Sequence, residues 1–248
     1  MSVRVVVLGQ PDRSARTAVL AGRLGLPLVE RVPPGVDWAL SLTDAGLVLQ
    51  SVDAKAPSPL RVEFVTGRAA WRRGQGELIH RAIKLRGRSA VHVVDATAGL
   101  GRDGFVLASH GFRVTMLERD PIVHALLADG LARAAVAEAT RAIAQRIVLH
   151  HADLLQWRAP VEPPEVVYLD PMFPARRKSA KVKKELAILQ GLLAPPDDDG
   201  SLLRRALSLA TVKVVVKRPL KAPPLAGQPP ASHLSGRSIR FDIYPVPS

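Results

Sequence analysis

The stretch VHVVDATAGLGRDG, residues 91–104, decides the fold. An apolar β-branched run ends on Asp95, a glycine-rich loop follows, and helical apolar spacing begins at about Asp103. Gly99, Gly101 and Gly104 spell G-x-G-x-x-G between a strand and a helix, the pattern by which backbone approaches a dinucleotide pyrophosphate at a helix N-terminus. The charges argue against phosphate. Asp95 on the strand end and Asp103 in the first helical turn would repel it, so the ligand at that loop is expected to be neutral or cationic.

Working outward, apolar strands alternate with helical stretches. VTMLE (114–118) precedes a helix starting at Asp120-Pro121, and IVLHH (147–151), VVYLD (166–170), VKVVV (212–216) and IRFDIY (239–244) follow. Aspartate before proline at the first helical position is a strong helix start. The alternation predicts an α/β domain with a parallel sheet covered by helices. Pro219 to Pro230 reads as a long loop between the last strands. Four strands end at or within two residues of an acid, Asp95, Glu118, Asp153 and Asp170, and in an open parallel sheet those ends line the ligand crevice. Glu118 is placed to accept the two hydroxyls of a ribose, and Asp153 a hydrogen bond from an adenine amino group. An adenosine end, no phosphate and a cationic end describe S-adenosylmethionine, with Asp95, Thr97, Gly99, Gly101, Asp103, Glu118 and Asp153 as candidate cofactor contacts.

Ahead of this domain, Val3–Leu8 reads as a strand and Ser14–Leu24 as a helix. Trp38–Leu42 and Leu47–Val52 flank TDAG (43–46) as a hairpin, with Arg61–Val65 as a further strand. GRAAWRRGQG (67–76) is basic and glycine-bounded, and Glu77–Leu85 reads as a short helix. The expected organisation is a small N-terminal α+β domain over 1–66, a basic linker and helix over 67–90, and the α/β domain over 91–248.

Composition narrows the function classes. With 248 residues, 47% hydrophobic and 23% charged, the chain can bury a sizeable core. It shows neither a membrane-length apolar run nor a signal-peptide pattern, and a cytoplasmic location is expected. There is no cysteine, which excludes disulfides, thiolate metal sites and cysteine nucleophiles. The seven histidines lack H-E-x-x-H spacing, and no metal is expected. Net charge is +13 and unevenly spread: residues 91–170 carry 7 basic and 10 acidic groups, whereas 1–90 carry 14 and 7, and 171–248 carry 14 and 5. An acidic centre between basic flanks suits a small cationic ligand with a nucleic-acid backbone running past it.

Asp170-Pro171-Met172-Phe173 resembles the D/N-P-P-Y/F motif of amino-group methyltransferases, with Met172 where that motif has a second proline. An exocyclic amine conjugated to a base is a poor nucleophile. A carboxylate and a fixed backbone carbonyl accepting its N–H bonds orient the lone pair at the methyl group. Asp170, Pro171 and Phe173 are therefore the catalytic candidates, with Phe173 stacking on a flipped-out base. The transfer would be one in-line displacement without a covalent enzyme intermediate. Arg176, Arg177, Lys178, Lys181, Lys183 and Lys184 follow directly. With Arg68, Arg72, Arg73, Lys217 and Arg218 they form the candidate RNA-binding cations.

VVDATAGLGRDGFVLASHGFRVTMLERDP (93–121), VVYLDPMFPARRKSAKVKKE (166–185), VVVKRPLKAPPLA (214–226) and the closing RFDIY (240–244) closely resemble the RsmJ family of bacterial 16S rRNA guanine-N2 methyltransferases. The likeness runs from about Phe64 to Tyr244. It implies a Rossmann-like class I methyltransferase sheet with helices on both faces, S-adenosylmethionine as cofactor, and 16S rRNA or the small ribosomal subunit as partner. It also puts Arg102-Asp103, Glu118-Arg119 and Asp170 on family cofactor-binding positions. Where the family commonly has small hydroxyl residues at the third strand end, this chain has Asp153-Leu154. Adenine-N6 methylation of RNA or DNA is the nearest alternative. A nicotinamide oxidoreductase is allowed by the glycine pattern but disfavoured by Asp95 and Asp103, and a non-catalytic RNA-binding protein would also show basic flanks.

Overall fold

The computed structural model describes residues 4–52, 59–66, 77–88, 90–158, 161–171 and 200–247. The chain opens with β1 (Val5–Leu8) and α1 (Ser14–Leu24), the latter closed by Gly25 in the left-handed conformation that commonly ends helices. β2 (Leu28–Val29), β3 (Trp38–Thr43) and β4 (Gly46–Ser51) complete a sheet of order β2-β1-β3-β4. β3 and β4 pair antiparallel as the expected hairpin, with Thr43 opposite Gly46. The strand expected at Arg61–Val65 does not form. Leu60 makes an isolated bridge to Leu49, after which Val62 and Phe64 turn into the core. The Glu63 carboxylate then accepts the N–H groups of Val65 (2.7 Å) and Thr66 (3.1 Å), replacing the ladder partners a strand would have supplied.

The rest of the chain contributes α2 (Glu77–Ile83), β5 (His92–Asp95), α3 (Arg102–Ser109), β6 (Arg113–Glu118), α4 (Pro121–Val136), α5 (Glu138–Ala144), β7 (Ile147–His151), β8 (Val166–Leu169), α6 (Ser201–Leu209), β9 (Lys213–Pro219), β10 (Ser232–Ser235) and β11 (Ile239–Pro245). These strands form a seven-stranded sheet of order β10-β11-β9-β8-β5-β6-β7. β9, β8, β5, β6 and β7 run parallel, and β11 and β10 join antiparallel, so the sheet is mixed. β10 was not expected because SHLS carries one apolar residue. Pro219 to Pro230 therefore leads into β10, with a short 3-10 turn at Leu225–Gly227. Asp120 caps α4 as its sequence predicts, its carboxylate accepting the N–H groups of Ile122 and Val123 at 2.9 Å each.

Strand parity divides the core. Val93, Val166, Tyr168, Val215 and Phe241 point to one face with α2, α3, α4 and the N-terminal sheet. Val94, Val167, Leu169, Val214, Val216 and Tyr244 point to the other, against Leu203, Ala206 and Leu209 of α6. Helices thus cover both faces, and the first cluster joins the two sheets through one apolar core. The junction is close: a Cβ at Gly130 of α4 would lie 2.5 Å from Val62 Cγ1. Arg133 of the same helix bonds the Glu63 carboxylate at 3.2 Å and the Val62 carbonyl. β5 lies between β8 and β6, which places the reversal of strand order, and hence the crevice of a doubly wound sheet, beyond Asp95.

Candidate active site

The glycine loop is stitched to the strand ends on either side of it. Gly99 (φ 53°) and Gly101 (φ 71°) take left-handed conformations that carry the chain from β5 into α3. The Ala96 N–H donates to the Tyr168 carbonyl at 3.0 Å, and the Ala98 N–H to the Leu117 carbonyl at 3.0 Å. Two side chains reinforce this. Thr97 Oγ1 accepts the Asp170 N–H at 2.6 Å, and Glu118 Oε2 accepts the Gly99 N–H at 2.8 Å.

At the ends of β5 and β8, beside Lys217 of β9, lies a charged cluster. Lys217 Nζ donates to Asp103 Oδ2 at 2.6 Å and to Asp170 Oδ2 at 2.8 Å, and the Tyr168 hydroxyl donates to Asp103 Oδ2 at 2.7 Å. Register explains the meeting. Tyr168 pairs with Val215 and Leu169 with Val216, so Asp170 and Lys217 are the next residues along the two strands, on the face that Tyr168 and Val215 share. Asp95 is 2% exposed, and burial, with Asp103 nearby, pushes its carboxyl up to about 8. Burial raises Asp170 as well, opposed by Lys217. Tyr168 is raised by burial and by Asp103 and Asp170, which keeps its hydroxyl a donor. Burial lowers Lys217, but the two carboxylates outweigh it and hold the amine as ammonium. Three acidic groups around one ammonium make a pocket suited to a further cationic group, whose arrival favours ionisation of Asp95.

The ends of β6 and β7 are built differently. Glu118 is buried, and its other oxygen, Oε1, accepts the Asp120 N–H at 2.8 Å. Burial raises its carboxyl, and the two N–H bonds oppose that shift. Asp153 turns the chain after β7, its Oδ1 accepting the Leu155 N–H at 2.9 Å, while Oδ2 lies 3.8 Å from Arg119 Nη1. Leu154 is buried in the second core cluster.

The structure therefore gathers Asp95, Thr97, Gly99, Gly101, Asp103, Glu118, Asp170 and Pro171 around one crevice. Arg102 and Arg119 stand exposed beside it. Two expectations for the basic surface are corrected. Arg218 is 2% exposed, with its guanidinium donating twice to the Pro223 carbonyl (2.9 and 2.6 Å), so it is folded into the β9 turn and not presented to a phosphate. Lys217 is engaged with Asp103 and Asp170 inside the crevice. Phe173, Arg68, Arg72, Arg73, Arg176, Arg177, Lys178, Lys181, Lys183 and Lys184 lie outside the described residues. Sequence reasoning missed Tyr168. A tyrosine in a buried strand needs a partner for its hydroxyl, which was the available signal. Among the described residues no helix is long and apolar enough to cross a membrane, and no group of three or more His, Cys, Asp or Glu is placed to hold a metal ion.

A mixed, mostly parallel sheet with its crevice beyond Asp95, a glycine loop pinned to its neighbours and an acidic lining is the architecture of a Rossmann-like class I methyltransferase. Residues 21–246 match the family described as "Putative SAM-dependent methyltransferase". A solved SAM-dependent methyltransferase from Neisseria gonorrhoeae is 35% identical, with a TM-score of 0.74 over 98% of this chain and 96% of that one. The chain is also 48% identical, over 94% of its length and 87% of the relative, to the ribosomal RNA small subunit methyltransferase J of Marinobacter nauticus. The protein of the same name from Stutzerimonas stutzeri is 47% identical over 98% of this chain and 95% of its own. The chain belongs to this family of S-adenosylmethionine-dependent methyltransferases, and the nicotinamide oxidoreductase reading is set aside.

Proposed function

We propose that the protein transfers a methyl group from S-adenosylmethionine to the exocyclic N2 amine of a guanosine in 16S rRNA, free or in the small ribosomal subunit, in the cytoplasm. The observation that carries this reading is the 48% identity to a small-subunit rRNA methyltransferase over 94% of the chain. The acidic crevice fits the cofactor, with Asp95 and Asp103 facing its cationic end and Glu118 its ribose. Bound there, it supplies an electrophilic methyl group on sulfur. The Asp170 carboxylate and the Pro171 backbone carbonyl accept N–H bonds from the amine and aim its lone pair. With its lone pair so aimed, the amine would take the methyl group that the cofactor supplies, and the surplus proton on its nitrogen would pass to solvent. The bond from the Asp170 N–H to Thr97 ties acceptor and cofactor loop into one unit.

Residues 1–66 are read as an appended α+β unit, 67–90 as a basic connection and 91–248 as the methyltransferase domain. The separate four-stranded and seven-stranded sheets support that division. Arg68, Arg72, Arg73 and the cations of 176–184 are assigned to the RNA backbone, with Phe173 as the base platform.

The test is incubation of purified protein with labelled S-adenosylmethionine and small-subunit rRNA or particles lacking the modification, then digestion to nucleosides. Label in N2-methylguanosine is the expected result. Label in N6-methyladenosine would overturn the base assignment, and no label on any RNA substrate would overturn the activity.

A further inference from the structure

We propose that Lys217 is a positioning residue for methyl transfer: by gripping Asp103 on the cofactor side and Asp170 on the substrate side, its ammonium holds the Asp170 carboxylate as an anionic acceptor for the incoming amine. The inference rests on the methyltransferase reading above and adds a role for a residue that charge counting alone would give to phosphate.

The geometry leaves the lysine little else to do. Its Nζ sits 2.6 Å from Asp103 and 2.8 Å from Asp170, two carboxylates contributed by α3 and by the end of β8. Among the described residues, only Oδ2 of Asp170 is engaged, and its partner is Lys217. In this role the second oxygen accepts from the amine. Among the described residues, the charged and titratable groups around the ammonium are Asp95 from β5, Asp103 from α3, Tyr168 from β8 and Asp170 just beyond it. β11 presents the apolar Phe241 opposite Lys217. Without the ammonium, the carboxylates of Asp103 and Asp170 would share a partly buried pocket, and repulsion between them favours protonation. A protonated Asp170 offers an O–H donor where the reaction needs an acceptor. The amine would then lose the N–H bond that orients its lone pair. Asp170 and Asp103 would also lose their common anchor, so cofactor loop and acceptor would no longer be held in one arrangement.

Lys217→Met removes the charge at similar length, and Lys217→Arg restores it. For parent and both variants, turnover would be followed across pH alongside cofactor affinity by calorimetry and RNA affinity by filter binding. Lys217→Met is expected to lower kcat at neutral pH by about 10- to 100-fold and to move the acid limb of the kcat profile up by about one pH unit or more. RNA affinity should stay within about twofold, and Lys217→Arg should recover most of kcat and return the limb. A fall in RNA affinity with kcat and its acid limb unchanged would make Lys217 a phosphate clamp and overturn the proposal. So would a uniform loss of activity without movement of the limb.

If neither variant folds, the parent decides. With ¹³C-labelled aspartate, Asp170 should titrate as an anion at pH 7, and a protonated carboxyl there would refute the role. Failure of the base assignment would show separately, as label in a nucleoside other than N2-methylguanosine, and the comparison of variants could still be made on that product. If the parent labels no RNA, the activity reading fails, and the carboxylate titration still tests Lys217.

Discussion

The two halves of the crevice hold their carboxylates by different means. At the ends of β6 and β7, Glu118 and Asp153 are fastened by backbone N–H groups of Gly99, Asp120 and Leu155. At the ends of β5 and β8, Asp103 and Asp170 are held by the side chains of Tyr168 and of Lys217 from β9, and Asp95 has, among the described residues, one long contact, the Thr97 N–H at 3.4 Å. Backbone donors cannot titrate or swing away, so the first half is a fixed frame. Side-chain donors can exchange, and carboxylates raised by burial respond to an arriving charge. The frame suits the neutral ribose and adenine, and the responsive half suits the sulfonium, the ammonium and the amine.

The largest expected effect falls on the responsive half. Asp170→Ala should lower kcat by about 10²- to 10⁴-fold while cofactor affinity by calorimetry stays within a few-fold, because the acceptor is needed only when the amine is aligned. A dead RNA-binding protein would instead show no turnover in the parent to lose.

Glu118→Ala strikes the frame. It frees the Gly99 and Asp120 N–H groups and takes away the candidate ribose acceptor. Charge-assisted hydrogen bonds are worth about 1.5–3 kcal/mol, so cofactor dissociation constants should rise about 10- to 100-fold. Single-turnover rates at saturating cofactor should change far less. Equal losses in both quantities would erase the distinction between the halves.

Gly104→Ala acts more gently on the responsive side. The added Cβ would lie 2.9 Å from Asp95 Oδ2 and 2.5 Å from Met116 Cε. The methionine end can move, whereas the buried aspartate has less room. A cost of about 1–3 kcal/mol of stability is expected from overpacking, read as a lowered Tm. Weaker cofactor binding should accompany it.

A further test is a pH dependence. Asp95 is raised from 3.8 to about 8, so between those values the unfolded chain ionises while the folded, cofactor-free protein keeps its proton. Its contribution to stability is therefore present at low pH and lost as pH rises through that window, levelling above about 8. Denaturant midpoints measured with and without cofactor check this, since a bound ammonium favours the ionised form and should flatten the slope.

Much of the fold was legible because local signals agreed with tertiary demands. The Asp120-Pro121 start, the Thr43-to-Gly46 hairpin and the run from β5 to β9 each appear where pattern placed them. Arg61–Val65 misled because alternating apolar residues fit a strand, but Val62 is needed against Gly130 and Phe64 stacks on Phe105 at 4.2 Å. Packing on helices prevailed over pairing. Asp95, Glu118, Asp153 and Asp170 were readable from their places at strand ends. Lys217 and Arg218 were not, because a count of charges ignores parity: adjacent residues of β9 face opposite sides of the sheet, one into the crevice and the other into the turn at Pro223. Counting in twos from Val215 would have put Lys217 beside Asp170.

Titration of S-adenosylmethionine into the parent protein at pH 7, in two buffers of different ionisation enthalpy, tests the claim of a responsive acidic half most directly. Saturable binding with net release of protons to the buffer is predicted, the release shrinking above about pH 8 as Asp95 is already ionised. No binding, or binding whose heat is the same in both buffers, would contradict it.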